Sequence, residues 1–436
     1  MTTTSISQPH SSPYASLAAI ISGVVLLQAG MSLMSALLPL RMAEAGFSSA
    51  EIGYMTAAFA GGFLLGCLYA PRLIAKVGHI RAFACFATVL SVLTLALAID
   101  TSIGLWSIAR LMSGICFAGM LTVSDSWITV EADSSRRGRV LAVYTLCYKV
   151  AQGLGPLALT LATIFGNWHF MLVSALISMS LLPVAMRKGG NPKAQSTNPD
   201  NARQDRMSIR QVFDRSPLAF IACLFVGIMN SPLANLLSLY GASIGFSTEQ
   251  AVLLVAGFQF GAVLFQIPMG IASDRGDRRT VLVFAVSCVA AISLLFILME
   301  TMLGLWAQIG LIFVMGGVTM SVYPIALSHA GDYCKENEMV PLCATLMLAY
   351  GVGMTLGPIT ATKLMHFVGP GGLFLHTVIL AVTFIAIALY RMSRRTSLPR
   401  EERNEYIPVP PSSPVISRLD PRSDVTRSVR DADDVY

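Results

Sequence analysis

Residues 250–279 read QAVLLVAGFQFGAVLFQIPMGIASDRGDRR, and the contrast between the two parts of this stretch decides the fold class. From Gln250 to Ile271 there is no acidic or basic side chain. About 20 such residues cross the hydrocarbon core of a bilayer as a helix, and a helix bonds its own backbone groups where no water can do so. Five charges then crowd together at Asp274, Arg275, Asp277, Arg278 and Arg279. An apolar helix of membrane length that stops against such a cluster reads as a transmembrane span meeting water.

The same ruler laid along the rest of the chain finds twelve spans, near residues 16–40, 50–71, 81–99, 103–125, 140–162, 169–186, 217–240, 250–271, 280–299, 303–328, 342–364 and 371–391. Composition agrees. Of 436 residues, 54% are apolar and only 12% charged, with a mean hydropathy of +0.66, against about 25% charged residues in a soluble domain. So few charges could not cover the surface of a water-soluble fold of this size. Secreted disulfide scaffolds, disordered chains and nucleic-acid binders are therefore poor fits. The alternating strands of about ten residues that mark an outer-membrane barrel do not appear either. The first span lacks the basic flank of a signal peptide and is too long for a signal's apolar region. The eight cysteines, Cys67, Cys85, Cys116, Cys147, Cys223, Cys288, Cys334 and Cys343, show no C-x-x-C or zinc spacing. Most sit in apolar runs, where a thiol acts as a small hydrophobe, so no disulfide, metal or cofactor is expected.

Orientation follows from the basic residues, which concentrate on the cytoplasmic side of membrane proteins. Arg72, Lys76 and Arg81 follow the second span, Arg136, Arg137 and Arg139 the fourth, Arg275, Arg278 and Arg279 the eighth, and Lys335 the tenth. With the central connection and the C-terminal segment, these places hold 26 of the 30 Lys and Arg residues. Both termini are thus expected in the cytoplasm of an inner or plasma membrane. The net charge of +6 is this asymmetry and needs no nucleic-acid partner.

The chain also repeats itself. Gly46-Phe47-Ser48 returns as Gly245-Phe246-Ser247, Gly104-Leu105-Trp106 as Gly304-Leu305-Trp306, and Leu154-Gly155-Pro156 as Leu356-Gly357-Pro358, at offsets of 199, 200 and 202 residues. Three triplets in order at nearly constant offset indicate a duplicated six-helix unit, the repeat pattern of one large transporter fold; in that arrangement a substrate site is expected near the midplane between the halves. The expected organisation is an N-terminal tail (1–15), a six-helix bundle (16–186), a polar loop (187–216), a second six-helix bundle (217–391) and a C-terminal tail (392–436). The last is polar and dotted with Pro399, Pro408, Pro410, Pro411 and Pro414, which reads as disorder; a proline-rich docking motif is the alternative.

Gly270, Asp274, Arg275, Arg278 and Arg279 resemble the G-x-x-x-D-R-x-G-R-R loop of the major facilitator superfamily, with Asp277 where a glycine usually stands. In the matching first-half loop, Pro71 and Ala75 depart from the pattern while Lys76, Gly78 and Arg81 fit it. Arg110 with Gly114 resembles the family's R-x-x-x-G element, and Gly153, Gly155 and Pro156 resemble the glycine-proline element of its antiporters. Tyr323-Pro324 and the loop Arg136-Arg137-Gly138-Arg139 are similar to the poorly characterised YcaD-like branch. The resemblance covers residues 16–391. It implies an all-α integral membrane protein of twelve helices in two pseudo-symmetric six-helix bundles, working as a secondary transporter.

Ionisable groups within a bilayer are costly and are functional candidates by default. Arg110 lies about 10 Å deep from the outer face, and Lys149 about 15 Å from the inner face, at 1.5 Å per residue. Both could face an aqueous cavity and favour an anion, Arg110 gripping a carboxylate in a fork. Alternatively, Arg110 bonds backbone carbonyls across helices and Lys149 snorkels. Gln28, Asn230, Gln259 and Tyr323 are further candidates for lining a solute site, with Ser32, Asn235, Gln266, Tyr148, Gln152 and Tyr350 beside them; interhelical bonding is the competing role. Asp125 lies about 22 Å beyond Arg110 along the same helix, near the cytoplasmic end. Its expected partners are Arg72, Lys76 or Arg81, as a conformational latch or a proton-coupling group, and Asp274 with Arg275 and Arg278 would form the second-half counterpart. Gly153, Gly155, Pro156, Gly357 and Pro358 would let helices pack closely and bend.

There is no Walker loop, H-E-x-x-H or nucleophile elbow, so no enzymatic activity is expected. The favoured expectation is a monomeric transporter of a small solute, coupled to protons as an antiporter. Anion uptake or symport is one alternative. A non-transporting sensor or assembly factor is the other.

Overall fold

The computed structural model describes residues 13–99, 102–132, 137–161, 167–186, 207–299, 302–334 and 338–394, with residues 399, 403, 406, 407, 409–413, 415 and 416 beyond them. Thirteen α-helices are seen among these: α1 Pro13–Glu44, α2 Ser49–Val77, α3 His79–Ile99, α4 Ile103–Glu131, α5 Arg137–Leu157, α6 Trp168–Ala185, α7 Ile209–Arg215, α8 Pro217–Ser243, α9 Thr248–Arg275, α10 Arg278–Met299, α11 Leu305–Gly331, α12 Met339–Val368 and α13 Gly372–Arg394. Eleven are long and apolar enough to cross a membrane. The twelfth expected span, α5, carries Arg137, Arg139 and Lys149. It also begins and ends earlier than residues 140–162, giving way to a 3-10 turn at Ala158–Thr160. Residues 1–12, 187–206 and 417–436, with Arg136 and Lys335, lie outside the described residues.

The repeated triplets fall where the backbone requires them. Gly46 and Gly245 take φ of +84° and +91°, a left-handed conformation that glycine adopts without strain. Ser48 and Ser247 then cap α2 and α9 in the same way. Each accepts from the backbone N–H three residues on, while Glu51 or Gln250 reaches back to the cap N–H at 2.7 and 3.1 Å. These are two copies of one capping box. The tryptophans of the second triplet have diverged: Trp106 is 2% exposed and packs on Phe47, whereas Trp306 is 77% exposed.

Small residues set the packing within each half. A Cβ at Gly62 of α2 would strike the Leu111 carbonyl of α4, and one at Gly114 would strike the Phe59 carbonyl of α2. In the second half, Gly261 of α9 and Gly316 of α11 meet the Phe313 and Phe258 carbonyls reciprocally. Such small-residue faces let helices approach closely in lipid, where burial of apolar surface gives no drive. Gly155 abuts Ala29 of α1, and Gly357 abuts Ile228 of α8, so the third triplet marks equivalent helix crossings. Large apolar side chains such as Ile108, Leu298 and Phe367 stand exposed around the outside, as a lipid-facing surface requires.

The halves meet through α2 with α12, α5 with α9, and α1 with α8. Helices that alternate in direction place the α2–α3, α4–α5 and α9–α10 junctions at one end, called here the basic end. The contacts between halves include several near the other end, where Gly53 lies against Pro358 and Thr362, and Ser238 Oγ donates to the Ala36 carbonyl at 3.0 Å.

Candidate functional site

A cavity of about 140 Å³ lies between the halves, walled by turns of α1, α2, α4, α5, α8, α9, α11 and α12. Gln28, Lys149, Asn230, Gln259 and Tyr323 all line it, as do Ser32, Tyr148, Gln152, Asn235, Gln266 and Tyr350. Among the described lining residues Lys149 is the sole charged side chain. Its Nζ lies 3.4 Å from Gln152 Oε1 and 3.7 Å from Met320 Sδ. Asn230 donates to the Tyr350 hydroxyl at 2.7 Å, and Ser32 Oγ donates to the Gln152 carbonyl at 2.5 Å. The amide oxygens of Gln28, Asn230 and Gln259 are buried and make no hydrogen bond with the described residues. Buried acceptors rarely stay unpaired, so the wall presents several carbonyl oxygens suited to a ligand's N–H or O–H groups.

Arg110 is elsewhere. It is 2% exposed and stands outside the cavity wall, its guanidinium 4.2 Å from the centre of the Phe59 ring. Phe59 faces the cavity, so the described neighbour of this cation is an aromatic ring that itself borders the solute space. The cause is the side of α4 on which Arg110 falls, toward α2. Cation–π contact of this kind holds a desolvated guanidinium.

Asp125 is fully buried, and its partners differ from those expected. Arg72, Lys76 and Arg81 are exposed. The carboxylate instead accepts three hydroxyls: Tyr144 on Oδ1 at 2.7 Å, and Ser412 and Ser413 on Oδ2 at 2.7 and 2.6 Å. The two serines belong to the C-terminal segment expected to be solvated and disordered. Around them Val409, Ser412, Ser413 and Ile416 are buried, and Val409, Pro410 and Pro411 border the cavity. Apolar residues interleaved with the prolines give this stretch a surface to bury, which the bulk composition of the tail conceals.

In the second half, Asp274 lies 3.5 Å from Arg278, but Arg278 makes its shorter ion pair with Asp332 at 3.1 Å, both side chains buried. Asp274 Oδ1 also accepts the backbone N–H of Tyr406 at 2.9 Å. Arg275 points outward and is exposed. Asp277, at the family's glycine position, accepts from the Arg279 backbone N–H at 3.0 Å and from its guanidinium at 2.8 Å. Partial burial raises the Asp277 carboxyl, but the hydrogen bonds and charge of Arg279 more than offset this and hold it below its ordinary value. Gly153 lies against Phe260 of α9, while Pro156 and Pro358 are inside α5 and α12.

Sequence reasoning missed Tyr144, Ser412, Ser413 and Asp332. Only the tail carried a signal, in its run of prolines.

A family model described as Major Facilitator Superfamily matches residues 20–255 and 219–428. The uncharacterized MFS-type transporter YcaD of Salmonella heidelberg (strain SL476) is 28% identical over 379 residues, covering 85% of this chain and 94% of its own length. The Salmonella typhi protein of the same name is 27% identical with the same coverage. Among solved structures, the nucleoside transporter NupG aligns with a TM-score of 0.68 at 14% identity, over 88% of this chain and 99% of its own. A bacterial homolog of the human lysosomal transporter Spinster, in an inward-facing and unoccupied conformation, gives 0.67 at 15% identity over 90% and 99%. A D-xylose-proton symporter gives 0.65 at 14% identity over 86% and 97%. The chain belongs to the Major Facilitator Superfamily and is similar, at 27–28% identity, to its YcaD MFS-type transporters.

Proposed function

We propose that this protein is a proton-coupled secondary transporter that carries a small polar organic anion by alternating access, with Lys149 as the solute's countercharge. The observation behind this reading is the setting of Lys149 in the cavity wall, with an amide oxygen and a thioether as its near neighbours. A cation withdrawn from water is costly without an opposite charge, and an anionic solute supplies one. The unpartnered amide oxygens of Gln28, Asn230 and Gln259 call for donors. A compact solute with one anionic group and several N–H or O–H groups meets both demands. A lipophilic cation meets neither, so the cavity favours the anion.

Exchange against protons, with export as the net direction, draws support from the likeness of Gly153-Leu154-Gly155-Pro156 to the antiporter element. Asp125, a buried carboxylate toward the basic end, is the group we assign to coupling. The bias of Lys and Arg supports a cytoplasmic basic end, with both termini there, in an inner or plasma membrane. One chain encloses the cavity, which supports the monomer as the working unit.

The test uses purified protein in liposomes that enclose a pH dye, challenged with panels of organic anions and lipophilic cations. An anion should drive proton movement, and Lys149→Gln should reduce it by about tenfold or more, as loss of one buried charge-assisted contact implies. Lys149→Arg should keep part of the flux. Proton movement driven by lipophilic cations and indifferent to Lys149→Gln would overturn the anion reading.

A further inference from the structure

We infer that the described residues between Tyr406 and Ile416 (406, 407, 409–413, 415 and 416) form a plug, built into the chain, that closes the solute cavity at the basic end and straps the two halves together there. Its function as autoinhibition rests on the transport reading above, while its seat rests on geometry alone.

The segment is held at both ends by groups from different halves. In the second half, the backbone N–H of Tyr406 bonds Asp274, the Tyr406 ring lies over Gly270 where a Cβ would strike it, and Arg403 Nη1 donates to the Gly276 carbonyl at 2.5 Å. In the first half, Ser412 and Ser413 both donate to Asp125. Between these anchors, Val409, Pro410 and Pro411 close the cavity wall. Ser412 and Ser413 are each 1% exposed, so the seat is enclosed rather than a surface groove.

Sequence chemistry suits the segment to this place. Proline fixes φ in advance, so a proline-rich segment loses little further freedom on docking. Hydroxyls donated to a carboxylate are among the stronger neutral-to-charged hydrogen bonds. From Arg394, where α13 ends, to Tyr406 the chain can reach about 40 Å at its full extension, enough to cross the end of the bundle.

Two consequences follow for a transporter. A solute cannot pass the basic end while the plug is seated. The halves also cannot close on each other there, because the segment fills the gap that closure would remove. Asp125 is bonded by the plug in this state and becomes available to other donors only when the serines leave. Release of residues 406–416 is therefore a precondition of the transport cycle.

The experiment uses the full chain in detergent micelles and two readouts that need no transported solute. Backbone hydrogen exchange, read by mass spectrometry, should show residues 406–416 protected in the parent protein. The variant Ser412→Asp with Ser413→Asp sets carboxylates against Asp125, and like-charge repulsion should remove that protection while α1–α13 stay protected. Ser412→Ala with Ser413→Ala, which removes the donors without adding charge, should give an intermediate loss. Ser35, which borders the cavity, is replaced by cysteine as a reporter. Peptide-resolved alkylation at position 35 by a water-soluble maleimide should be slow with the parent tail and about a hundredfold or more faster with the double aspartate, as loss of two charge-assisted hydrogen bonds implies. Free-peptide exchange rates for residues 406–416 in the parent chain would overturn the seat. Equal alkylation rates in the two tails, with protection lost in the variant, would overturn the closure. A failure of the anion panel leaves both readouts standing, so the two proposals fail separately.

Discussion

Asp277 shows how a departure from a family pattern can carry its own chemistry. Glycine stands there in the resembling motif, yet here the carboxylate caps the start of α10 through the Arg279 backbone N–H and pairs with the Arg279 side chain. Replacing such a cap with alanine costs about 1 kcal/mol. Asp277→Ala should therefore lower the thermal stability of the detergent-solubilised protein at neutral pH. The effect has a defined pH sense. Because Arg279 holds the folded carboxyl below its ordinary 3.8, the contribution is complete above that value and disappears as pH falls through the depressed one. Melting curves of parent and Asp277→Ala should converge in acid; a constant gap down to strongly acid pH would refute the assignment. Position alone could not have revealed Asp277 as a cap, although the residue itself was legible as a departure. Arg110 and Asp125 tell the same story. Their depths follow from helix rise, but depth does not say which side of α4 meets α2. Nor does any spacing announce that a carboxylate will bond a hydroxyl 287 residues away.

Helices and their ends were the most legible layer, because they follow from local chemistry. Apolar length predicts a span, and Gly-Phe-Ser predicts the turn and cap that both halves use. Ends moved by up to six residues: α2 and α4 run on to Val77 and Glu131, and α5 starts at Arg137, since Arg137 and Arg139 lie within its first turn and a ruler based on apolar length starts later. What local chemistry could not show is which glycines touch another helix. Gly62, Gly114, Gly261 and Gly316 form two reciprocal pairs against opposing carbonyls, whereas a Cβ at Gly310 would meet nothing within 4 Å. Helix contacts in lipid rest on close packing, so a branched side chain at a pair should separate the helices. We expect Gly62→Val and Gly261→Val each to destabilise by several kcal/mol, in the range of severe overpacking, and Gly310→Ala to be neutral or better. Yield of monodisperse protein and melting temperature in detergent measure this. Equal behaviour of Gly261→Val and Gly310→Ala would show that the pairs do not govern packing.

At the scale of the molecule, duplication explains why the halves can rock but not which way they stand. The offsets of 199, 200 and 202 residues require two similar bundles, and the shared glycine crossings of α5 on α1 and α12 on α8 give them similar frames. Both alternative states of such a pair satisfy the same repeats, so the sequence is silent on the state. The structure supplies it through contacts between halves: Gly53 of α2 packs on Pro358 and Thr362 of α12 far from the plug, and Ser238 bonds Ala36 nearby. The cavity is thus shut away from the basic end by helix on helix, and bordered at the basic end by Val409, Pro410 and Pro411 of the inferred plug. If the protein works by alternating access, these two closures must yield at different points of the cycle. A Cβ placed on Gly53 would sit within 3 Å of the Thr362 Cβ, closer than the separation of about 3.8 Å across a disulfide, so a small backbone adjustment allows bonding. Gly53→Cys with Thr362→Cys should form a bridge under mild oxidation, visible as an intramolecular disulfide in peptide mass spectra. Oxidised protein should lose solute flux in liposomes and regain it with reductant, while Thr362→Cys alone keeps flux under both conditions. Undiminished flux through fully bridged protein would mean that α2 and α12 need not part at this end, and that the cavity exchanges its solute by another route.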